Sequence, residues 1–125
     1  MSENKIGTLV LDAAFKVHSA LGSDLLESSY QVCMFYELQK IGLKVENEKA
    51  LPLYYEEEKM DIGYRIDLLV EDKVVIEMKA VELLADVHLA QVLTYLKLSQ
   101  CKLGYLLNFN VPLMKSGIKR VVNGV

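Results

Sequence analysis

Arg65-Ile66-Asp67-Leu68-Leu69-Val70-Glu71-Asp72-Lys73-Val74-Val75-Ile76-Glu77-Met78-Lys79 is the stretch that decides the fold of this chain. Two alternating apolar runs meet at a charged turn, the pattern of an antiparallel hairpin. A turn centred on Asp72 sets Leu69 opposite Val75 and Asp67 opposite Glu77. Directly opposed Cβ atoms lie roughly 4.5–5.5 Å apart, and like charges at that separation destabilise a sheet unless a cation or a proton sits between them. Lys79 follows Glu77 by two residues and shares its face, whereas Ile66, Leu68, Val70, Val74, Ile76 and Met78 point the other way. One face of the hairpin reads as core and the other as chemistry.

Hard oxygen donors at this spacing suit Mg²⁺ or Mn²⁺, which keep several waters and take one or two carboxylates plus substrate phosphate oxygens. Asp67 and Glu77 are the candidate ligands. Lys79 beside them can orient or deprotonate a water and stabilise developing charge on phosphorus. This is the chemistry of phosphodiester hydrolysis. The simpler reading is an exposed ion pair worth about 0–1 kcal/mol. Leu69 and Val75 on the same face weigh against it, because they predict a helix covering this side too, and charges that point inward need a reason.

The chain has 125 residues, enough for one domain with a two- or three-layer core and too few for a second. Its 52% hydrophobic and 25% charged content is that of an ordinary globular protein. No apolar run approaches the roughly 20 residues that cross a bilayer. Met1-Ser2-Glu3-Asn4-Lys5 does not read as the start of a secretory signal, and the expected location is the cytoplasm. Cys33 and Cys101 match neither a CxxC pair nor a zinc pattern and read as reduced thiols. The net charge of −3 excludes a broad basic surface, yet the charge is polarised along the chain. All acidic residues lie at or before Asp86, and the rest holds only Lys97, Lys102, Lys115, Lys119 and Arg120. A basic flank beside an acidic centre suits a protein that attracts a nucleic-acid backbone. Lys115, Lys119 and Arg120 are its candidate phosphate contacts, with a solvated surface as the alternative.

Around the hairpin, Ile6, Leu9, Val10, Ala13, Ala14, Val17 and Leu21 predict a helix over about 5–21, with Asn4 as N-cap and Gly22 as its stop. A second helix, about 25–41, carries Tyr30, Met34, Leu38 and Ile41 on its buried stripe and ends at Gly42. Glu27 extends that stripe, as a partner of the helix dipole or as a group aimed into the site. From Val45 the period is two: Leu51, Leu53 and Tyr55 alternate, Glu56-Glu57-Glu58 reads as a turn, and Met60–Val70 runs back. Helical spacing returns over about 86–99, with Leu89, Val92, Leu93 and Leu96 as core stripe and Asp86 as N-cap. His88, Gln91 and Tyr95 lie beside that stripe. Strands at 102–109 and 118–122 complete the order α, α, β, β, β, α, β, β.

With these elements in place the chain resembles the PD-(D/E)xK nuclease superfamily, and within it the small GxxExxY family. Four segments carry the resemblance: Gly22-Ser23-Asp24-Leu25-Leu26-Glu27-Ser28-Ser29-Tyr30, Tyr64-Arg65-Ile66-Asp67-Leu68-Leu69, Val75-Ile76-Glu77-Met78-Lys79-Ala80 and His88-Leu89-Ala90-Gln91-Val92-Leu93-Thr94-Tyr95-Leu96. The last is similar to the Gln-x-x-x-Tyr element of RecB-like exonucleases. The resemblance implies a restriction-endonuclease-like αβββαβ core, an α/β fold with a mixed central sheet flanked by helices, here with an extra N-terminal helix. It further implies Asp67 and Glu77 as metal ligands, Lys79 as the catalytic lysine, Glu27 as a helix-borne acidic partner, and Gln91 with Tyr95 as residues shaping the site. Asp24 stands where the GxxExxY pattern has its glycine. As an N-cap it would tighten the helix start.

The expected function is a Mg²⁺- or Mn²⁺-dependent nuclease acting on nucleic acid, DNA ahead of RNA, with a homodimer as a possible assembly and no membrane partner. The rival is a binding or regulatory module that keeps the fold without hydrolysis. Retention of Glu27, Asp67, Glu77, Lys79 and Gln91 together favours the enzyme.

Overall fold

A computed structural model describes residues 1–124, Ile62 by its backbone alone. Helix α1 (Glu3–Leu21) and helix α2 (Glu27–Lys40) precede three strands, β1 (Val45–Tyr55), β2 (Glu58–Val70) and β3 (Val74–Lys79). Helix α3 (Asp86–Ser99), β4 (Leu103–Asn108), a 3₁₀ turn (Met114–Gly117) and β5 (Ile118–Val122) follow. The strands form one sheet in the order β1-β2-β3-β4-β5. β3 and β4 run parallel, with α3 as the crossover between them, and every other pair is antiparallel. This is the expected α/β fold with a mixed sheet between helices.

The sheet has two differently covered faces. On one, Ile6, Val10, Ala14 and Val17 of α1 and Tyr30, Met34 and Leu38 of α2 close over Leu68, Val70, Val74, Ile76 and Met78. On the other, α3 alone lays Val92, Tyr95 and Leu96 on Leu69, Val75 and Leu106. Gly104 permits that single helix to seat closely: a Cβ there would lie 3.0 Å from Val92 Cγ1 and 3.2 Å from Leu96 Cδ2. Gly7 serves α1 in the same way beneath the Tyr105 ring.

Several local expectations need correction. Ser2, not Asn4, caps α1, its side chain accepting from Lys5 N at 3.2 Å. The Asn4 side chain instead accepts from Arg120 Nη2 at 3.1 Å. Helix α2 starts at Glu27, with Leu26 at the cap position, and Ile41 lies exposed beyond its end. Asp24 is no N-cap: its φ is +75°, left-handed backbone that glycine adopts without steric cost. The departure from the glycine pattern therefore falls at a position where the backbone asks for glycine. Ala85, not Asp86, precedes α3, and His88 Nδ1 accepts from Ala85 N at 3.0 Å. Leu89 and Leu93 are half-buried, whereas Tyr95 belongs to the core.

The hairpin register is the expected one at Val70/Val74, Leu69/Val75 and Leu68/Ile76. Glu71 and Asp72, at φ +54° and +56°, form its turn. Lys44 ties that turn down, its N donating to Glu71 Oε2 at 2.6 Å and its Nζ to Asp72 Oδ2 at 2.8 Å. The ladder then stops, and Asp67 and Glu77 are not a backbone pair. Ile66 also departs from expectation, packing with Leu69 and Val75 on the α3 side. The alternation breaks at Asp67, next to Glu48, a β1 residue at φ +53°.

Candidate active site

Where the β2–β3 ladder stops, the two carboxylates take over the work of backbone carbonyls. Asp67 N donates to Glu77 Oε1 at 2.9 Å, and Met78 N donates to Asp67 Oδ2 at 3.0 Å. Each acid is thus held by an N–H of the opposite strand. The exchange satisfies two donors that the lost ladder would orphan. It also opens the strands at the C-terminal end of β3, where an open parallel sheet presents its crevice.

Glu77 is 3% exposed. Burial, followed by the Asp67 charge, pushes its carboxyl up to about 9, and Lys79 only partly opposes this. Burial likewise raises Asp67, and the Glu48 charge adds to the effect. Two such acids cannot both ionise cheaply at close range, so near neutral pH the pair retains a proton. Lys79, half-buried, lies close enough to favour the charged form of both acids.

Helix α3 supplies the lid of this split. Gln91 Nε2 donates to Tyr95 Oη at 2.9 Å, and the Tyr95 ring meets Tyr64 edge-on at 6.2 Å between centroids. Burial and then the nearby Glu77 raise the Tyr95 hydroxyl, which keeps it a neutral donor. From α2, Gln31 Nε2 reaches Asn47 Oδ1 at 2.9 Å, Glu48 Oε1 at 3.1 Å and Asp67 O at 3.4 Å. Glu27 is half-buried one turn before Gln31, on the same helical face. No hydrogen bond joins Glu27 to Asp67 or Glu77 among the described residues.

Three residues here carry roles that periodicity does not display. Tyr30 reads as plain core, yet its hydroxyl donates to Gly22 O at 2.6 Å, accepts from Leu25 N at 3.2 Å, and so pins the loop that leads to Glu27. Its ring stacks on Phe109 at 4.5 Å. Asn108 is 3% exposed, and its amide accepts from Val81 N and donates to Val81 O, fixing the chain just after Lys79. Gln31 could have been suspected from its i+4 spacing to Glu27. Tyr30 and Asn108 offer no such signal beyond being polar groups within apolar stripes.

The expected basic trio does not form one surface. Lys119 pairs with Leu106 and Arg120 with Tyr105, so their side chains leave opposite faces of β5. Arg120 is occupied by Asn4 at the N-terminus of α1. Lys115 lies in the 3₁₀ turn, exposed.

The donor set fits a hard divalent ion. It offers carboxylate oxygen alone, in a pair that must otherwise hold a proton. Among the described residues no cluster of three or more His, Cys, Asp or Glu side chains is brought together. Asp67 and Glu77 therefore do not form an all-protein cage, which matches an ion that retains waters and phosphate oxygens. With this geometry in view, the family model of the PD-(D/E)XK nuclease superfamily matches residues 4–121, and the chain belongs to that superfamily. No curated protein and no solved structure gives a significant match. Nuclease chemistry is the activity this membership supports, and divalent metals are typical of it. Among the described residues no helix is long and apolar enough to cross a membrane.

Proposed function

We propose that this protein is a Mg²⁺- or Mn²⁺-dependent nuclease that hydrolyses phosphodiester bonds of nucleic acid, DNA ahead of RNA. The observation that carries the reading is the split hairpin, in which Asp67 and Glu77 replace the backbone ladder and lie close together beside Lys79. A purely structural hairpin would gain by continuing its ladder with apolar side chains. Asp67 and Glu77 would hold the ion, which supplies an activated water and charge neutralisation when bound.

The protein's own groups have separable tasks. Strand N–H groups fix the carboxylates before any ion arrives, so little reorganisation is needed. Lys79 lies beside them and would hold the attacking water or a phosphate oxygen. Tyr95, kept protonated by burial and by the nearby Glu77 and oriented by Gln91, presents a hydroxyl toward the same space. Glu27, aligned with Gln31, would accept from a water there. The position of Asp24, at left-handed backbone three residues before Glu27, supports placement in the GxxExxY group.

Purified protein should cleave oligonucleotides with Mg²⁺ or Mn²⁺ and stop with chelator; Asp67→Asn and Glu77→Gln should each abolish cleavage, and Lys79→Ala should lower it by roughly 10²–10³. Calorimetry should detect Mn²⁺ binding to the parent and to Lys79→Ala but not to Glu77→Gln. Metal binding with no cleavage of any DNA or RNA would instead establish the regulatory module.

A further inference from the structure

A shallow groove of about 370 Å³ opens along α3, lined by Tyr64, Val87, His88, Ala90, Gln91 and Thr94. Tyr95 links it to the site: Gln91 lines the groove and bonds Tyr95, Tyr64 lines it and meets the Tyr95 ring, and Tyr95 feels the Glu77 and Asp67 charges. Val87, 68% exposed, gives the groove an apolar wall. His88 offers a directional group: its Nδ1 accepts from Ala85 N, which leaves the ring proton on Nε2 as a donor. Tyr64 also borders a second depression of about 560 Å³ on the β1–β2 arm, where Lys59 and Arg65 are exposed beside Asp61.

We infer that this groove is a nucleobase subsite: it takes one unstacked base next to the scissile phosphate, with Tyr64 as its stacking platform, and so directs the enzyme to single-stranded nucleic acid. The inference rests on the nuclease reading and adds the substrate class. Three features support it. An aromatic ring with an apolar wall binds any base through its π-face, a sequence-tolerant contact. The volume is at the small end of ligand sites and accommodates one base with its sugar. In a duplex both faces of a base are already stacked on neighbours, so only a splayed strand can offer one to Tyr64.

The test uses the full chain and two independent readouts. In chelator, without catalysis, a single-stranded oligonucleotide carrying 2-aminopurine should lose fluorescence on binding the parent and Tyr64→Phe, and should not do so with Tyr64→Ala. With metal, an abasic residue beside the cleaved bond should slow the parent by about 10-fold or more, the scale of one lost stacking contact. Tyr64→Ala should be slow on the normal strand, cut the abasic strand about as fast as the parent does, and show no further abasic penalty. Tyr64→Phe should keep the penalty. Cleavage that is as fast on blunt duplex as on single strands, or an abasic penalty undiminished in Tyr64→Ala, overturns the subsite while leaving the nuclease intact. Tyr64-dependent quenching without cleavage under any metal overturns the nuclease and leaves the subsite. Neither quenching nor cleavage overturns both.

Discussion

The two halves of the β2–β3 hairpin are built from one alternating pattern and end in opposite states. Toward the turn, Leu68, Leu69 and Val70 pair in register with Ile76, Val75 and Val74, and all six are buried. Away from the turn, the same strands part, and carboxylates accept the N–H groups that carbonyls would have taken. The first half is held by apolar burial on both faces. The second half gives up a ladder and buries acids, an arrangement that costs stability and is retained where a site needs it. Stability and chemistry are thus segregated within a few residues of each other.

That segregation can be broken by experiment, beginning with the largest effect. Lys79→Ala should lower metal-dependent cleavage by roughly 10²–10³, about 3–4 kcal/mol of transition-state stabilisation, while the thermal midpoint barely moves. A variant that cleaves as fast as the parent would place the chemistry elsewhere. Ile76→Ala, in the regular half, should cost about 2–5 kcal/mol in denaturant unfolding, because Ile76 is fully buried between strands and helices. A loss below 1 kcal/mol would mean that the regular half is not the stabilising one.

The third test uses pH. Glu77 has a raised carboxyl in the folded protein, about 9 against 4.5 when unfolded, so the native state holds the extra proton between those values. Metal-free stability should therefore be greatest at the acidic end of that window, fall as pH rises through it, and level off above about 9, with a slope of at most about 1.4 kcal/mol per pH unit for one proton. Glu77→Gln needs no proton and should flatten the decline, exceeding the parent in stability at pH 8 without metal. A variant that melts several degrees lower instead would make the pair a structural hydrogen-bonding element. The smallest effect belongs to the turn. Asp72→Gly relieves a left-handed aspartate and gives up an exposed contact with Lys44, so the thermal midpoint should barely move. Cleavage should be unaltered, and a change in rate would show that the halves are coupled.

Much of the fold was legible because its signals are local. Strand and helix periods, Gly22 and Gly42 as stops, and the turn centred on Asp72 all depend on residues near one another in the chain. The caps are ambiguous in sequence where two polar residues compete, as Ser2 and Asn4 do: periodicity cannot say which one is claimed by a distant partner such as Arg120. Ile66 was misassigned because strict alternation assumes an unbroken ladder, and the break at Asp67 is made by side chains. The basic trio was grouped by proximity in sequence, but adjacent strand residues point to opposite faces, which separates Lys119 from Arg120.

The sequence by itself determined the element order, the hairpin register and the meeting of Asp67, Glu77 and Lys79, since a period of two and a short turn leave few alternatives. Its superfamily motifs were legible for the same reason, being short runs of fixed spacing. Only the tertiary structure decided that the carboxylates would cap opposing N–H groups, that Tyr30 and Asn108 would brace the flanking loops, and that Tyr64 would come against Tyr95 to wall a groove. Those contacts join residues up to tens of positions apart. Their existence depends on how helices seat on a twisted sheet, a global balance of packing that no local pattern encodes.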